Sequence, residues 1–308
     1  DQISSKLCKI SLSYLQNIVG IDTHLEKIES LLEIGINDVR IMGMWGMGGV
    51  GKTTIARAMF DTLLGRRDSS YQFDGACFLK DIKENKHRMH SLQNILLSNL
   101  LREKANYKKL LRRKDDYVNN KLDGKWMIPD RVCSKKVLIV LDDIDHKDHL
   151  EYLAGDIGWF GNGSRVVITT RDKHLIGKND VIYEVTALPD HESIQLFYQH
   201  AFRKEDPDEC FKELSLEVVN YTKGLPLALG VLGSSLYNRD ITVWKSAIEQ
   251  MKNNPNSEIV EKLKISYDGL ESTQQEIFLD IACFFRGEKK DDIMQVLKSC
   301  HFGAEYGL

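Results

Sequence analysis

Gly46-Met47-Gly48-Gly49-Val50-Gly51-Lys52-Thr53 stands between an apolar run at 39–45 and a segment in which Ile55, Met59, Phe60, Leu63 and Leu64 recur at helical spacing. The octapeptide fits G-x-x-x-x-G-K-[ST], and a strand before it with a helix after it is the setting in which that pattern holds phosphate. Glycines let successive backbone N–H groups turn toward an anion, and the helix N-terminus adds partial positive charge. Lys52 is expected to reach the β- and γ-phosphates of a nucleotide and Thr53 to offer its hydroxyl to Mg2+. Thr54 is expected to close the site at the α-phosphate end.

Outward from this loop, short apolar runs alternate with helical patterns from residue 39 to about 185, the mark of βαβ units on a parallel sheet. The fold expected is therefore α/β, a P-loop NTPase with a five-stranded parallel sheet, its strands at 39–45, 76–79, 137–141, 166–170 and 182–185. The third reads Val-Leu-Ile-Val-Leu, apolar without alternation, as suits a strand covered on both faces. It ends in Asp142-Asp143, at the strand end where open α/β sheets bind their ligands. Asp142 is expected to hold Mg2+ through water, and Asp143 to orient or deprotonate an attacking water. Adjacent acids at a strand end also serve as loop solvation or helix caps, and it is the preceding P-loop that favours chemistry. Arg171 closes the next strand and is placed to read a γ-phosphate; the alternative is an ion pair with Asp172 or a neighbouring acid.

Beyond Pro189 helical patterns take over, with one stripe of Ile194, Phe197 and Ala201 and another of Trp244, Ala247, Ile248 and Met251. Thr242 is the N-cap expected for the second, and Thr273-x-x-Glu276 reads as a capping box for a later helix. With a turn-rich break at 253–256, the domains expected are a linker at 1–16, a nucleotide-binding domain at 17–188, a helical subdomain at 189–253 and an incomplete winged-helix subdomain at 254–308. Residues 104–135 read as a solvated helix and loop carrying the basic cluster Lys108, Lys109, Arg112, Arg113 and Lys114. The histidines of Asp145-His146-Lys147-Asp148-His149 stand three apart on an expected surface loop without an apolar shell, which argues against a metal site.

Across 308 residues, 42 bases against 45 acids leave a net charge of −3, which offers no global field for nucleic acid or an anionic membrane. No specific nucleic acid and no membrane are expected as partners. Hydrophobic residues at 42% and charged residues at 28% match an ordinary folded protein. Six cysteines without Cys-x-x-Cys spacing read as reduced, mostly buried thiols. With no apolar run of spanning length and no signal-peptide core at the N-terminus, the setting expected is cytoplasmic or nucleocytoplasmic. The chain starts without methionine and stops abruptly at Tyr306-Gly307-Leu308, as a piece of something longer would.

The motifs together resemble the NB-ARC module of plant nucleotide-binding leucine-rich-repeat receptors, over nearly the whole chain. Gly46 to Thr54 corresponds to the family P-loop, Leu138 to Asp145 to its second kinase motif, and Gly163 to Arg171 to its sensor strand. Gly224-Leu225-Pro226-Leu227-Ala228-Leu229 corresponds to its GLPLAL motif. Asp145 and the run Phe278-Leu279-Asp280-Ile281-Ala282-Cys283-Phe284-Phe285 resemble the class with an N-terminal TIR domain. The resemblance implies an ADP/ATP site with Mg2+, in which Ile18, Val19 and Gly20 lie over the adenine and Pro226 packs near the base. Ile21-Asp22 replaces the Arg-Glu common after that glycine, and the chain stops before the family's Met-His-Asp motif. The partners implied are the TIR and leucine-rich-repeat domains of one longer protein, with self-association on activation. Three functions stay open at this point: a switch that is ADP-bound when off and ATP-bound when on, a turnover ATPase whose hydrolysis is the output, and a winged-helix DNA-binding protein. The GLPLAL segment favours the first, and the scarcity of clustered bases at 258–299 argues against the third.

Overall fold

The computed structural model describes residues 15–66, 68–101, 118–178, 180–203, 207–253, 259–260, 264, 267–268, 270–285 and 293. Two compact units divide the chain, Asp1–Ile248 and Glu249–Leu308. The first opens with α1 (Ile21–Leu32), β1 (Arg40–Trp45) and α2 (Lys52–Gly65). After these come β2 (Gly75–Leu79), α3 (Met89–Leu100), α4 (Lys121–Val132), β3 (Val137–Ile144) and α5 (Lys147–Leu153). β4 (Arg165–Thr170) and β5 (Val181–Glu184) complete the sheet. The helices α6 (Asp190–Ala201), α7 (Glu209–Thr222), α8 (Pro226–Leu236) and α9 (Ile241–Asn253) follow. In the second unit the described residues include α10 (Ser272–Phe284).

The strands lie in the order β2-β3-β4-β1-β5 and every pairing is parallel, so the α/β expectation and all five strands hold. β4 is buried along its whole length, Arg165, Thr169 and Thr170 included, and β3 nearly so, as suits central strands covered on both faces. β3 runs three residues farther than expected, to Ile144, because its ladder continues past the two acids after a register shift. Leu92, Leu96 and Leu97 of α3 and Ile128 and Val132 of α4 bury against Ile139, Leu141 and Val166 of the sheet.

That packing corrects the reading of 104–135. Its described part contains α4, opened by a capping box between Asn120 and Asp123 and seated in the core, rather than a solvated helix and loop. The basic cluster at 108–114 lies outside the described residues. At α2, Ile55, Met59, Phe60 and Leu63 are buried as expected, whereas Leu64 is exposed. Cys77 is buried, but Cys133 and Cys210 are exposed, against the expectation of mostly buried thiols.

At the N-terminal edge of the sheet, the fully buried Arg165 guanidinium donates to the carbonyls of Leu32, Glu33, Ile36, Asp38 and Ser164. One side chain thus satisfies the C-terminal carbonyls of α1 and the turn into β1. The later helices gather around Trp244, whose ring lies 5.0 Å from Phe211, 5.4 Å from Phe202 and 5.9 Å from Phe197. Its indole N–H donates to the Leu236 carbonyl at 3.0 Å. The cap of α9 is Asp240, whose carboxylate accepts from the N–H groups of Thr242 and Val243, so Thr242 is already inside the helix. Likewise α10 begins at Ser272 with a capping box between Glu271 and Gln274, two residues ahead of the Thr273/Glu276 pair expected.

Candidate functional site

β1 delivers Gly46 to Val50 to the C-terminal edge of the sheet, and α2 starts at Lys52. Gly46, Gly49 and Gly51 all have positive φ, the backbone state that turns successive N–H groups to one side. At Gly49 (φ 78°) a Cβ would lie 2.8 Å from that of Leu227, so glycine is required twice, by conformation and by space. Val50 is buried and anchors the loop to the core, while Met47 and Thr54 are exposed.

Lys52 is 7% exposed, and its ammonium donates to the carbonyls of Gly46 at 2.7 Å and Met47 at 2.9 Å. Burial, with the charge of Arg171 nearby, pulls its pKa down to about 8; Asp143 and Asp142 oppose that shift. A cation so desolvated gains from any anion set against the loop.

Asp142 is fully buried, and its carboxylate accepts from Thr53 Oγ1 at 2.9 Å and from Thr169 Oγ1 at 2.7 Å. Burial raises its pKa, and these two hydrogen bonds act against the rise. Leu141 pairs with Ile168 and Ile144 with Thr170, so three steps on β3 match two on β4, a β-bulge at Asp142-Asp143. Asp143 takes φ 56°, a left-handed state that Asp tolerates better than most residues. Without the bulge, strand alternation would send the two acids to opposite faces. Thr169 secures it, since its hydroxyl oxygen also accepts the N–H of Asp143 at 2.9 Å.

Arg171 Nε lies 3.7 Å from Asp143 Oδ1, with both side chains about a quarter exposed. The ion-pair alternative for Arg171, with Asp172 or a neighbouring acid, is therefore realised with Asp143. Lys52, Thr53, Asp142, Asp143 and Arg171 thus converge on one sheet edge. Thr169 escaped sequence reasoning because a threonine at the end of an apolar strand carries no mark; only the register beside Asp142 gives it a role.

A second face is supplied by the helices. Pro226 is the first residue of α8, and the N–H of Leu227 donates to the Gly49 carbonyl at 3.1 Å. Leu188 N–H donates to Gly224 at 2.9 Å, which fastens the same turn to the end of the sheet region. Val19 is buried and Ile18 half-buried, in the turn before α1 that ends at Gly20.

The 145–149 cluster does not join this site. His146 caps α5 by accepting from Asp148 N–H at 3.2 Å, and His149 is buried, not on a surface loop. Among the described residues no group of three or more His, Cys, Asp or Glu could hold a metal ion, and no helix is long and apolar enough to cross a membrane.

The family profile of the NB-ARC domain matches residues 21–207, and that of the winged-helix domain of Roq1-like disease resistance proteins matches 271–308. The chain is 78% identical over its full length to TMV resistance protein N of Nicotiana glutinosa, covering 26% of that protein. It is 42% identical over 95% of its length to disease resistance protein RUN1 of Vitis rotundifolia, covering 21% of that protein. It therefore spans about a quarter of the length of the curated relatives it matches. Among solved structures, a signal transduction ATPase with numerous domains and a tetratricopeptide repeat sensor from Pyrococcus horikoshii aligns at 17% identity and a TM-score of 0.42, over 91% of this chain and 38% of that one. With the P-loop, the bulged acidic pair and the docked GLPLAL turn in place, and the profile matched over 21–207, the chain belongs to the NB-ARC family.

Proposed function

We propose that this chain is the nucleotide-operated switch of a plant intracellular immune receptor, ADP-bound when off, ATP-bound when on and reset by slow hydrolysis. The observation that carries the reading is the hydrogen bond from Leu227 to Gly49, which ties the helical segment to the loop that would carry the phosphates. Such a tie lets the loop's state be reported to the rest of the protein, as a switch requires. The names of the relatives, both disease resistance proteins, support the setting.

The residues fit a nucleoside diphosphate or triphosphate. The positive-φ glycines and the N-terminus of α2 form the cradle, and the buried Lys52 supplies the counter-charge. In this reading Gly46 to Thr54 hold the phosphates, Ile18, Val19 and Pro226 border the base, and Arg171 senses the γ-phosphate. Mg2+ would be held by the Thr53 hydroxyl and, through water, by Asp142, and it supplies neutralisation of phosphate charge. Asp143, set at the bulge beside Arg171, orients or deprotonates the attacking water. Residues 17–188 form the nucleotide-binding part, 189–253 the helical subdomain and 254–308 part of a winged helix. TIR and leucine-rich-repeat domains of the same protein are the partners, with self-association in the ATP state, in the cytoplasm or shared with the nucleus.

Amide hydrogen exchange at 225–229 with ADP and with a non-hydrolysable ATP analogue tests the proposal. Slower exchange with ADP than with the analogue is expected. Equal exchange together with steady multiple-turnover hydrolysis would favour the turnover ATPase instead. In parallel, Lys52→Ala is expected to weaken ADP binding about 100-fold or more, since charged hydrogen bonds to phosphate contribute about 1.5–3 kcal/mol each.

A further inference from the structure

Gly20 closes the turn before α1 with φ 72°, and a Cβ there would collide with the carboxylate of Glu192, lying 2.7 Å from Cδ and 2.9 Å from Oε1. Glu192 belongs to the first turn of α6, beyond the end of the sheet, and its side chain is only 18% exposed. A helical segment thus reaches back across the chain and sets a carboxylate on the glycine that begins α1.

The local chemistry explains the placement. Gly20 is the N-cap residue of α1 and has no side chain to offer the helix's first N–H groups. A carboxylate brought from another element meets the partial positive charge of that helix end. Beside it, His24 Nδ1 lies 2.5 Å from the Tyr183 hydroxyl, joining α1 to β5, and Glu192 also acts electrostatically on His24. Burial dominates at His24 and lowers its pKa. The start of α6 is itself pinned, with Ser193 Oγ donating to the Leu188 carbonyl at 3.1 Å and Leu188 N–H donating to Gly224 at 2.9 Å. The backbone that carries Glu192 is thereby linked to the turn that also carries Pro226 and Leu227.

The β3 and β4 side of the phosphate loop is taken by Asp142, Asp143 and Arg171. The nucleoside of a bound nucleotide is left the opposite side, toward β5, Val19 and Gly20. We propose that Glu192 is a positioning residue for the nucleoside end of the ligand: its carboxylate fixes the Gly20 turn and so the backbone of Ile18 and Val19 that borders the base. This rests on the nucleotide reading above and adds to it a residue outside the phosphate motifs that governs how long the nucleotide stays.

The test compares release of fluorescent ADP with competition by inorganic pyrophosphate, which has phosphates but no nucleoside. In Glu192→Gln, ADP release is expected to speed up about ten-fold, as loss of a negative charge at the N-terminus of α1 implies, with pyrophosphate affinity within about two-fold of wild type. Lys52→Ala is expected to weaken both ligands together. Gly20→Ala, which keeps the charge but pushes it off the turn, should mimic Glu192→Gln. Glu192→Asp, a gentler change if Glu192→Gln fails to fold, should fall between. Unchanged ADP release in a folded Glu192→Gln or Glu192→Asp chain overturns the proposal. So does pyrophosphate affinity falling in step with ADP, because that marks general loosening. If the wild-type chain takes pyrophosphate but no ADP, the nucleotide reading itself fails, and this inference with it.

Discussion

The N–H of Leu227 and the carbonyl of Gly49 are 3.1 Å apart, so the second residue of α8 is hydrogen-bonded to the middle of the phosphate loop. The two residues also touch through side-chain space, since a Cβ on Gly49 would lie 2.8 Å from that of Leu227. Any rearrangement of the loop is therefore felt at α8, and any movement of α8 at the loop. In Gly49→Ala the added methyl opposes both the left-handed φ and the contact, costing about 1–3 kcal/mol. ADP release from the folded variant is expected to be about ten-fold faster or more by stopped-flow fluorescence. A rate within two-fold of wild type would show that the contact does not bear on retention.

Asp143→Asn keeps a residue that accepts left-handed φ and removes only the charge. Single-turnover ATP hydrolysis is expected to fall at least ten-fold while ADP affinity stays within about two-fold, because the charge is assigned to the attacking water and not to ground-state phosphates. Equal losses in both would make Asp143 a binding residue.

The depressed pKa of Lys52 links stability to pH with a definite sign. Its ammonium titrates at about 8 in the folded chain and at 10.5 when unperturbed. Between those values the unfolded chain holds a proton that the folded chain has lost, so this group's contribution to stability rises with pH across that window. Below about pH 8 the buried charge costs up to about 3 kcal/mol, from 1.36 kcal/mol per pKa unit. In nucleotide-free protein, Lys52→Met should therefore gain more stability over wild type at pH 7 than at pH 10, measured by urea denaturation. A mutant-minus-wild-type difference that does not change with pH contradicts the burial argument.

Arg165→Leu removes a donor from five carbonyls at the sheet edge remote from the site; those of Glu33, Asp38 and Ser164 keep a backbone N–H, and those of Leu32 and Ile36 are left to water. Each buried acceptor left unpaired costs about 1–3 kcal/mol, less what water recovers, so a loss of about 3 kcal/mol or more in unfolding free energy is expected. Phosphate-loop function should survive in whatever fraction remains folded, which nucleotide binding at low temperature will show.

Much of this was legible in the chain. Short apolar runs located all five strands, most plainly β3, whose burial on both faces leaves an unbroken signature, and the loop from Gly46 to Thr53 needs no partner to be recognised. What escaped depends on register. The bulge at Asp142-Asp143 and its tie to Thr169 exist only once β3 lies beside β4, and the carboxylate of Glu192 meets Gly20 across 172 positions of sequence that no local pattern connects. The burial of helix α4, expected to be solvated, was missed for a different reason: Lys121, Asp123, Lys125, Asp130 and Arg131 dominate its composition, and only Gly124, Ile128 and Val132 are fully buried, with Met127 packed beside them. The caps at Asp240 and Glu271 show the same limit, for neighbouring polar residues compete and only geometry selects one.

The central claim is that the chain is built to retain a nucleoside diphosphate between its phosphate loop and its helical segment. Mass spectrometry of nucleotide freed by denaturing the purified, desalted chain tests this most directly. Close to one ADP per wild-type chain and almost none from Lys52→Ala is the result predicted. Wild-type protein that emerges empty, and that shows no saturable binding when titrated with fluorescent ADP, would contradict it.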